Sequence, residues 1–215
     1  TDYASVCLKT TVANADTCLL TVETVVRDAR GREVTRKENQ GYINHGEPFE
    51  QHLTIDNPKL WSPEKPYLYK AVTTVRAQGR IQDVYETPFG IRSIEFVADK
   101  GFYLNGQHRK FQGVCLHHDL GPLGAAINES ALRHQLLMLK DMGCDAIRTS
   151  HNMPAPELVQ LCDEMGFMMM IEPFDEWDIA KCDNGYHRYF GEWAERDMVN
   201  MLRQFRNNPS VVMWS

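Results

Sequence analysis

Two hydrophobic periods divide the chain. From Ser5 to Arg92 the pattern alternates at period two, and Val6, Leu8 and Thr10, then Leu20, Val22 and Thr24, then Val72, Thr74 and Arg76 each read as a half-buried strand. Turn residues punctuate this half at Asp28-Ala29-Arg30-Gly31, His45-Gly46-Glu47-Pro48, Asp56-Asn57-Pro58 and Ala77-Gln78-Gly79. That spacing predicts an antiparallel sandwich of about seven strands. After Phe111 the period becomes helical. Leu132, Leu136 and Leu139 form a stripe opened by Asn128 as N-cap and closed by Gly143. Pro156 starts a second stripe of Leu158, Leu161, Cys162 and Met165 that Gly166 stops. Ala194, Met198, Met201, Leu202 and Phe205 form a third, stopped by Asn207-Asn208-Pro209.

Short apolar runs separate these stripes: Phe111 to Cys115, Cys144 to Arg148, Phe167 to Ile171 and Val211 to Trp214. Strands alternating with helices predict a parallel sheet, and four such strands make half of an eight-stranded (β/α) barrel, a fold that typically needs about 250 residues. Between the two halves, Ile94 to Ala98 and Phe102 to Leu104 read as short strands, and Asn105-Gly106 signals a two-residue hairpin because both positions tolerate positive φ. The expected fold is therefore multidomain: an all-β sandwich over residues 1–92, then a truncated TIM-type half barrel over 93–215.

Composition narrows the function. A net charge of -6 excludes the basic field that nucleic acid or an anionic membrane surface requires, and no apolar run approaches the length of a membrane span. Nothing after Thr1 reads as a signal peptide; the start looks like an internal position, which leaves cytoplasmic and exported compartments equally open. The six cysteines show no CxxC spacing and read as buried free thiols, although Cys7 and Cys18 could face each other on neighbouring strands.

Candidate chemistry sits where barrel strands end. Those places hold His117, His118 and Asp119 after the first strand, Arg148, Ser150, His151 and Asn152 after the second, and Glu172, Asp175, Glu176, Trp177 and Asp178 after the third. Polar groups at three successive strand ends are difficult to explain as packing, because burying each without a partner costs a few kcal/mol. The Trp177 face suits the apolar side of a pyranose, and carboxylates accept hydrogen bonds from hydroxyls.

The run AIRTSHNMPAPELVQLCDEMGFMMMIE (146–172) and the terminal FRNNPSVVMWS resemble the two signatures of glycoside hydrolase family 2. Leu60-Trp61-Ser62-Pro63-Glu64-Lys65-Pro66-Tyr67-Leu68-Tyr69 with Phe89-Gly90-Ile91-Arg92 resembles the immunoglobulin-like domain that precedes that family's barrel, whose entrance carries a Leu-Asn-Gly hairpin. Trp61 and Tyr67 read as core and corner packing. The resemblance implies a fragment of a retaining enzyme that hydrolyses terminal β-galactosides. A β-glucuronidase or β-mannosidase of the same family, or a non-catalytic interaction module, are the alternatives. It places the acid/base in an Asn-Glu pair just past Ser215 and the nucleophile far beyond, so this chain alone is expected to be inactive. It gives Arg148 the task of keeping the nucleophile ionised; an ion pair with Asp145 or Glu172 that ties strands together is the structural alternative. It places His117, His118, His151, Asn152, Asp175, Glu176 and Trp177 around the sugar. Asn152-Met153-Pro154 stands where the family has Tyr-Pro, and Cys115-Leu116-His117-His118 where it has Asn-Arg-His-Glu. Glu176 matches a magnesium ligand of the family's β-galactosidases and Asp178 stands where a His completes that site, with a solvated acidic loop as the alternative. Self-association through the open half barrel is expected.

Overall fold

A computed structural model describes residues 2–13, 18–42 and 47–215. The expected turn at 45–48 falls partly, at His45 and Gly46, outside the described residues. The chain forms two compact units, one of residues 1–59 and 67–91, the other of 60–66 and 92–215.

The first unit is all β. Its strands are β1 (Tyr3–Thr10), β2 (Leu19–Arg27), β3 (Glu33–Tyr42), β4 (Phe49–Asp56), β5 (Tyr69–Ala77) and β6 (Arg80–Phe89). All pairings are antiparallel, in a two-stranded sheet β1-β4 and a four-stranded sheet β3-β2-β5-β6. Among the described residues this makes six strands rather than the seven expected. Gln78 and Gly79 turn β5 into β6 with φ of 50° and 76°, the backbone that a two-residue hairpin needs.

Val26, Leu53, Ile55 and Tyr69 form one core cluster of this unit, and Leu20, Val22 and Val75 another. The inward row of β5 is Tyr69, Ala71, Thr73 and Val75, one residue out of phase with the expected row of Val72, Thr74 and Arg76. In a strand that alternates Val and Thr on both faces, sequence does not choose between them. The partner strand does: Thr73 Oγ1 lies 3.0 Å from Thr24 Oγ1, which donates to the buried Gln51 Oε1 at 2.6 Å. Gln51 Nε2 donates to Val22 O, so the polar seam inside this core is satisfied. Cys7 faces His52 across β1 and β4, so the pairing of Cys7 with Cys18 does not occur. Of the free thiols Cys162 is buried, while Cys7, Cys115 and Cys182 are exposed, against the expectation of burial.

The second unit opens with a meander, β7 (Ile94–Val97), β8 (Gly101–Leu104) and β9 (Gln107–Arg109), whose Asn105-Gly106 turn has φ of 52° and 75°. The parallel strands β10 (Gly113–Leu116), β11 (Ala146–Thr149), β12 (Met168–Ile171) and β13 (Val211–Trp214) follow in spatial order 10-11-12-13. Helices α1 (Glu129–Asp141), α2 (Pro156–Met165) and α3 (His187–Phe205) connect these four strands in turn. This is a partial TIM-type barrel. Asn128 caps α1 by accepting from Ala131 N, and Gly166 ends α2 in the left-handed region at φ 77°. Leu132, Leu136, Leu139, Leu158, Leu161, Phe167, Met201 and Phe205 enter one core with Ile147, Met169, Ile171 and Val211 of the strands. Met198 and Leu202, expected in the third stripe, lie on its exposed flank.

Trp61 is fully buried in this second unit, not in the sandwich, and its indole N–H donates to Asp163 O of α2 at 2.8 Å. Asp163 ties the N-terminal end of β13, accepting from Ser210 N and Asn208 Nδ2 at 2.9 and 2.6 Å. Arg109 of β9 pairs with Glu64 and reaches Asp145, just before β11, at 2.9 Å. The meander is thus fixed to the strand starts, leaving the strand ends for chemistry.

Candidate functional site

Parallel strands bring Arg148, the third residue of β11, and Glu172, just past β12, to the same end of the sheet. Arg148 Nε donates to Glu172 Oε1. His151 Nδ1 lies 2.9 Å from Glu172 Oε2, so the tautomer protonated at Nδ1 completes the contact and leaves Nε2 as an acceptor. One buried carboxylate therefore holds both a guanidinium and an imidazole. Burial raises the pKa of Glu172, but the hydrogen bonds and charges of Arg148 and His151 outweigh it and keep the group ionised below the usual carboxylate range. The Ser150–His151 peptide is cis. Arg148 Nη1 sits 3.7 Å from Cys115 Sγ, and the His117 ring stands edge-on to His151 with centroids 5.8 Å apart.

Arg148, His151 and His117 thus come together, and Glu172 joins them. Asp145, the other ion-pair partner considered for Arg148, belongs to Arg109 instead. His118 departs from the cluster: its Nε2 bonds to Ala125 O at 3.0 Å in its own loop. Asp119, beside it, accepts from Gly121 N.

Glu176 is a loop anchor. Its carboxylate accepts from His187 N at 2.9 Å, His187 Nδ1 at 2.8 Å and Lys181 N at 2.6 Å, and the backbone donation from His187 leads the causes that lower its pKa to about 2. A Cβ on Gly185 would meet Glu176 Oε1 at 1.5 Å, so only glycine lets the loop close over it. Asp178 is exposed, and among the described residues neither acid joins a group of three potential metal ligands. The pair does not fit a magnesium site, because the Glu176 oxygens already face N–H donors that a cation would repel.

Asn152 and Asp175 line a cavity of about 430 Å³ between the loops after β11 and β12 and α3 with its N-cap Tyr186. His151, Phe174, Tyr186, Asp197 and Asn200 complete most of its wall. Trp177 stands outside, 67% exposed, with its ring 6.4 Å from Phe190 and nearly parallel to it.

Sequence reasoning missed Glu172 as the hub and missed Tyr186, Asp197 and Asn200 altogether. The strand-end rule selects Glu172, and its pairing with Arg148 is one of the expected alternatives; its second contact, with His151, is what the sequence does not give. The others required knowing that α3 begins at His187, seven residues before its apolar stripe. From there the interval of eleven between Tyr186 and Asp197 is three helical turns, on one face.

The sandwich, the parallel half barrel and the Arg-His-Glu cluster at its strand ends define a glycosidase-type architecture. The chain belongs to glycosyl hydrolases family 2: residues 1–92 match that family's profile and residues 96–215 match its TIM barrel domain. It is 50% identical over 198 residues to the beta-galactosidase BoGH2A of Bacteroides ovatus, covering 91% of this chain and 23% of that protein. It is 41% identical to a putative beta-glucuronidase of Formosa agariphila, covering 76% of this chain and 16% of that protein. A beta-glycosidase crystal structure from Bacteroides vulgatus superimposes with a TM-score of 0.92 at 35% identity, covering 99% of this chain and 27% of that one. The chain thus spans about a quarter or less of the length of these relatives.

Proposed function

We propose that this chain supplies the immunoglobulin-like domain and the first half of the catalytic barrel of a retaining glycosidase acting on terminal β-galactosides. The observation that carries the reading is the Arg148-His151-Glu172 cluster at the C-terminal ends of parallel strands, in a chain half identical to a beta-galactosidase. Its chemistry follows from the donors left over. With Nε committed to Glu172, Nη1 3.7 Å from Cys115 Sγ and Nη2 3.4 Å from His151 Nδ1, the second N–H of each Nη remains for charge-assisted hydrogen bonds to a carboxylate nucleophile, which these donors would hold ionised and aimed. His151 Nε2 accepts from a sugar hydroxyl, with His117 beside it. Glu172 and Glu176 are not the catalytic pair of a retaining enzyme, whose carboxyls stand about 5 to 5.5 Å apart on separate strands. Both are consumed by their own partners.

A second reading, β-glucuronidase, has the support of the Formosa agariphila relative. Turnover of nitrophenyl β-galactoside against nitrophenyl β-glucuronide by the full-length protein separates the two. In the same assay Arg148→Ala should lower kcat/KM by about 10²- to 10³-fold, the scale of removing one preorganised donor. Retained activity in Arg148→Ala would reduce that residue to a strand tie.

A further inference from the structure

The outer face of the β1-β4 sheet carries chemistry that the barrel does not use. Side chains alternate across a strand, so Val6 and Leu8 turn toward the sandwich core while Cys7 and Lys9 face solvent. On β4 the same rule turns Gln51 and Leu53 inward and Glu50 and His52 outward. Register then decides which of these meet: Cys7 lies directly opposite His52, and Lys9 opposite Glu50. Among the described residues Cys7, Glu50 and His52 form a group of three potential metal ligands, whose sulfur, carboxylate oxygen and ring nitrogen all lie within 4.8 Å of one another. Glu50 Oε1 is the centre of the group. The Cys7 thiol donates to it at 3.6 Å, and His52 Nε2 lies 3.0 Å away. Lys9 Nζ takes the other oxygen, Oε2, at 3.2 Å and leads the causes that lower the Glu50 pKa, so the carboxylate is ionised and Oε1 stays with the group.

We propose that Cys7, Glu50 and His52 bind a zinc ion on the outer face of the sandwich, with water in the fourth position. Thiolate, imidazole and carboxylate are the ligand types zinc takes, and at its usual bond lengths the corners of such a tetrahedron stand about 3.4 to 3.6 Å apart. The Cys7–Glu50 contact already has that length, and the shorter His52–Glu50 contact reaches it by a small turn of an exposed ring. Desolvation and the Glu50 charge raise the Cys7 thiol, so it enters protonated; its S–H bond breaks, the sulfur–zinc bond forms and the proton goes to water. Magnesium and calcium, which select all-oxygen ligand sets, suit this donor set poorly. The Lys9 charge opposes the ion from the far side of Glu50, which sets the affinity below that of a site with four protein ligands. The ion joins one residue of β1 to two of β4, and so clasps β1 to the strand with which it pairs.

The test uses the full-length protein, stripped of metal by a chelator, with zinc chloride and cobalt chloride as probes. Calorimetric titration should find an equivalent of zinc that Cys7→Ser and His52→Ala each remove or weaken by at least about tenfold, the scale on which metal sites respond to altered ligation. Cobalt should show a thiolate-to-metal charge-transfer band in the near ultraviolet that Cys7→Ser abolishes. Zinc should raise the melting temperature of the sandwich transition in the wild type and leave it in place in Cys7→Ser. All three side chains are exposed, so the metal-free variants should melt with the metal-free wild type. No zinc bound by the wild type, or zinc affinity unchanged in both Cys7→Ser and His52→Ala, overturns the site. Zinc that binds through Cys7 and His52 without raising the sandwich transition overturns the clasp.

Discussion

Glu172 Oε2 lies 2.9 Å from His151 Nδ1 while Oε1 of the same carboxylate accepts from Arg148, so a single acid sets the orientation of both basic groups. In the full-length protein, Glu172→Gln should lower kcat/KM by about 10²-fold, because releasing two positioned groups by even an ångström costs that much. Glu172→Asp, which keeps the charge but shortens the reach, should fall between. Steady-state kinetics alongside circular dichroism will read this; full activity in Glu172→Gln would show that Arg148 and His151 hold their places unaided.

Trp61→Ala should cost roughly 3 to 5 kcal/mol, as the removal of a fully buried indole, and it also strips Asp163 O of its donor. The loss should appear in melting of the barrel unit and leave the sandwich transition in place. A selective loss of the sandwich transition in calorimetry would contradict the placement of Trp61 in the second unit.

Two acids should bend the stability profile in opposite directions. Burial raises Asp163 to about 6, above its unfolded value of about 3.9. Its contribution is therefore fully present below pH 4 and is lost as pH rises through 6, by roughly 3 kcal/mol at 1.36 kcal/mol per unit. Glu176 is held at about 2 against an unfolded value of about 4.3, so its contribution is present above pH 4 and is lost as pH falls toward 2. Melting temperatures between pH 2.5 and 7 should lose their decline from 4 to 6 in Asp163→Asn and show a shallower acid limb in Glu176→Gln, the remainder coming from Glu64 and Glu172, whose pKa values are also lowered by their Arg partners. A wild-type slope in either variant would remove that residue from the account.

The isolated 215-residue polypeptide should neither turn over nitrophenyl galactoside nor remain monomeric. Among the described residues β10 pairs only with β11, and β13 only with β12, so each presents an open edge. Open edges recruit other strands. Light scattering of dilute material should report dimers or larger species; a monodisperse monomer would show that both edges are protected.

Much of this architecture could be read from the chain because its signals are local. Asn128, Pro156, Gly166 and Asn105-Gly106 each fix a backbone conformation within a few residues, and each stands where expected. The failures depend on partners distant in sequence. The phase of β5 is chosen by Thr24 and Gln51 across the sheet. The withdrawal of His118 depends on Ala125 O, and the burial of Glu176 on Gly185 and His187, eleven residues away. A strand-end rule can nominate such residues, but it cannot tell which carboxylate meets a substrate and which meets its own loop.

Residues 60–66 belong to the barrel unit although they lie between two strands of the sandwich in sequence. No single cloning boundary can therefore separate the two units intact. A clone begun at Ser93 would leave Asp163 O without the indole N–H of Trp61, and Arg109 without Glu64. During synthesis, the fully buried Trp61 is made about a hundred residues before the helix carbonyl it donates to and must wait, among sandwich strands, for α2 to emerge.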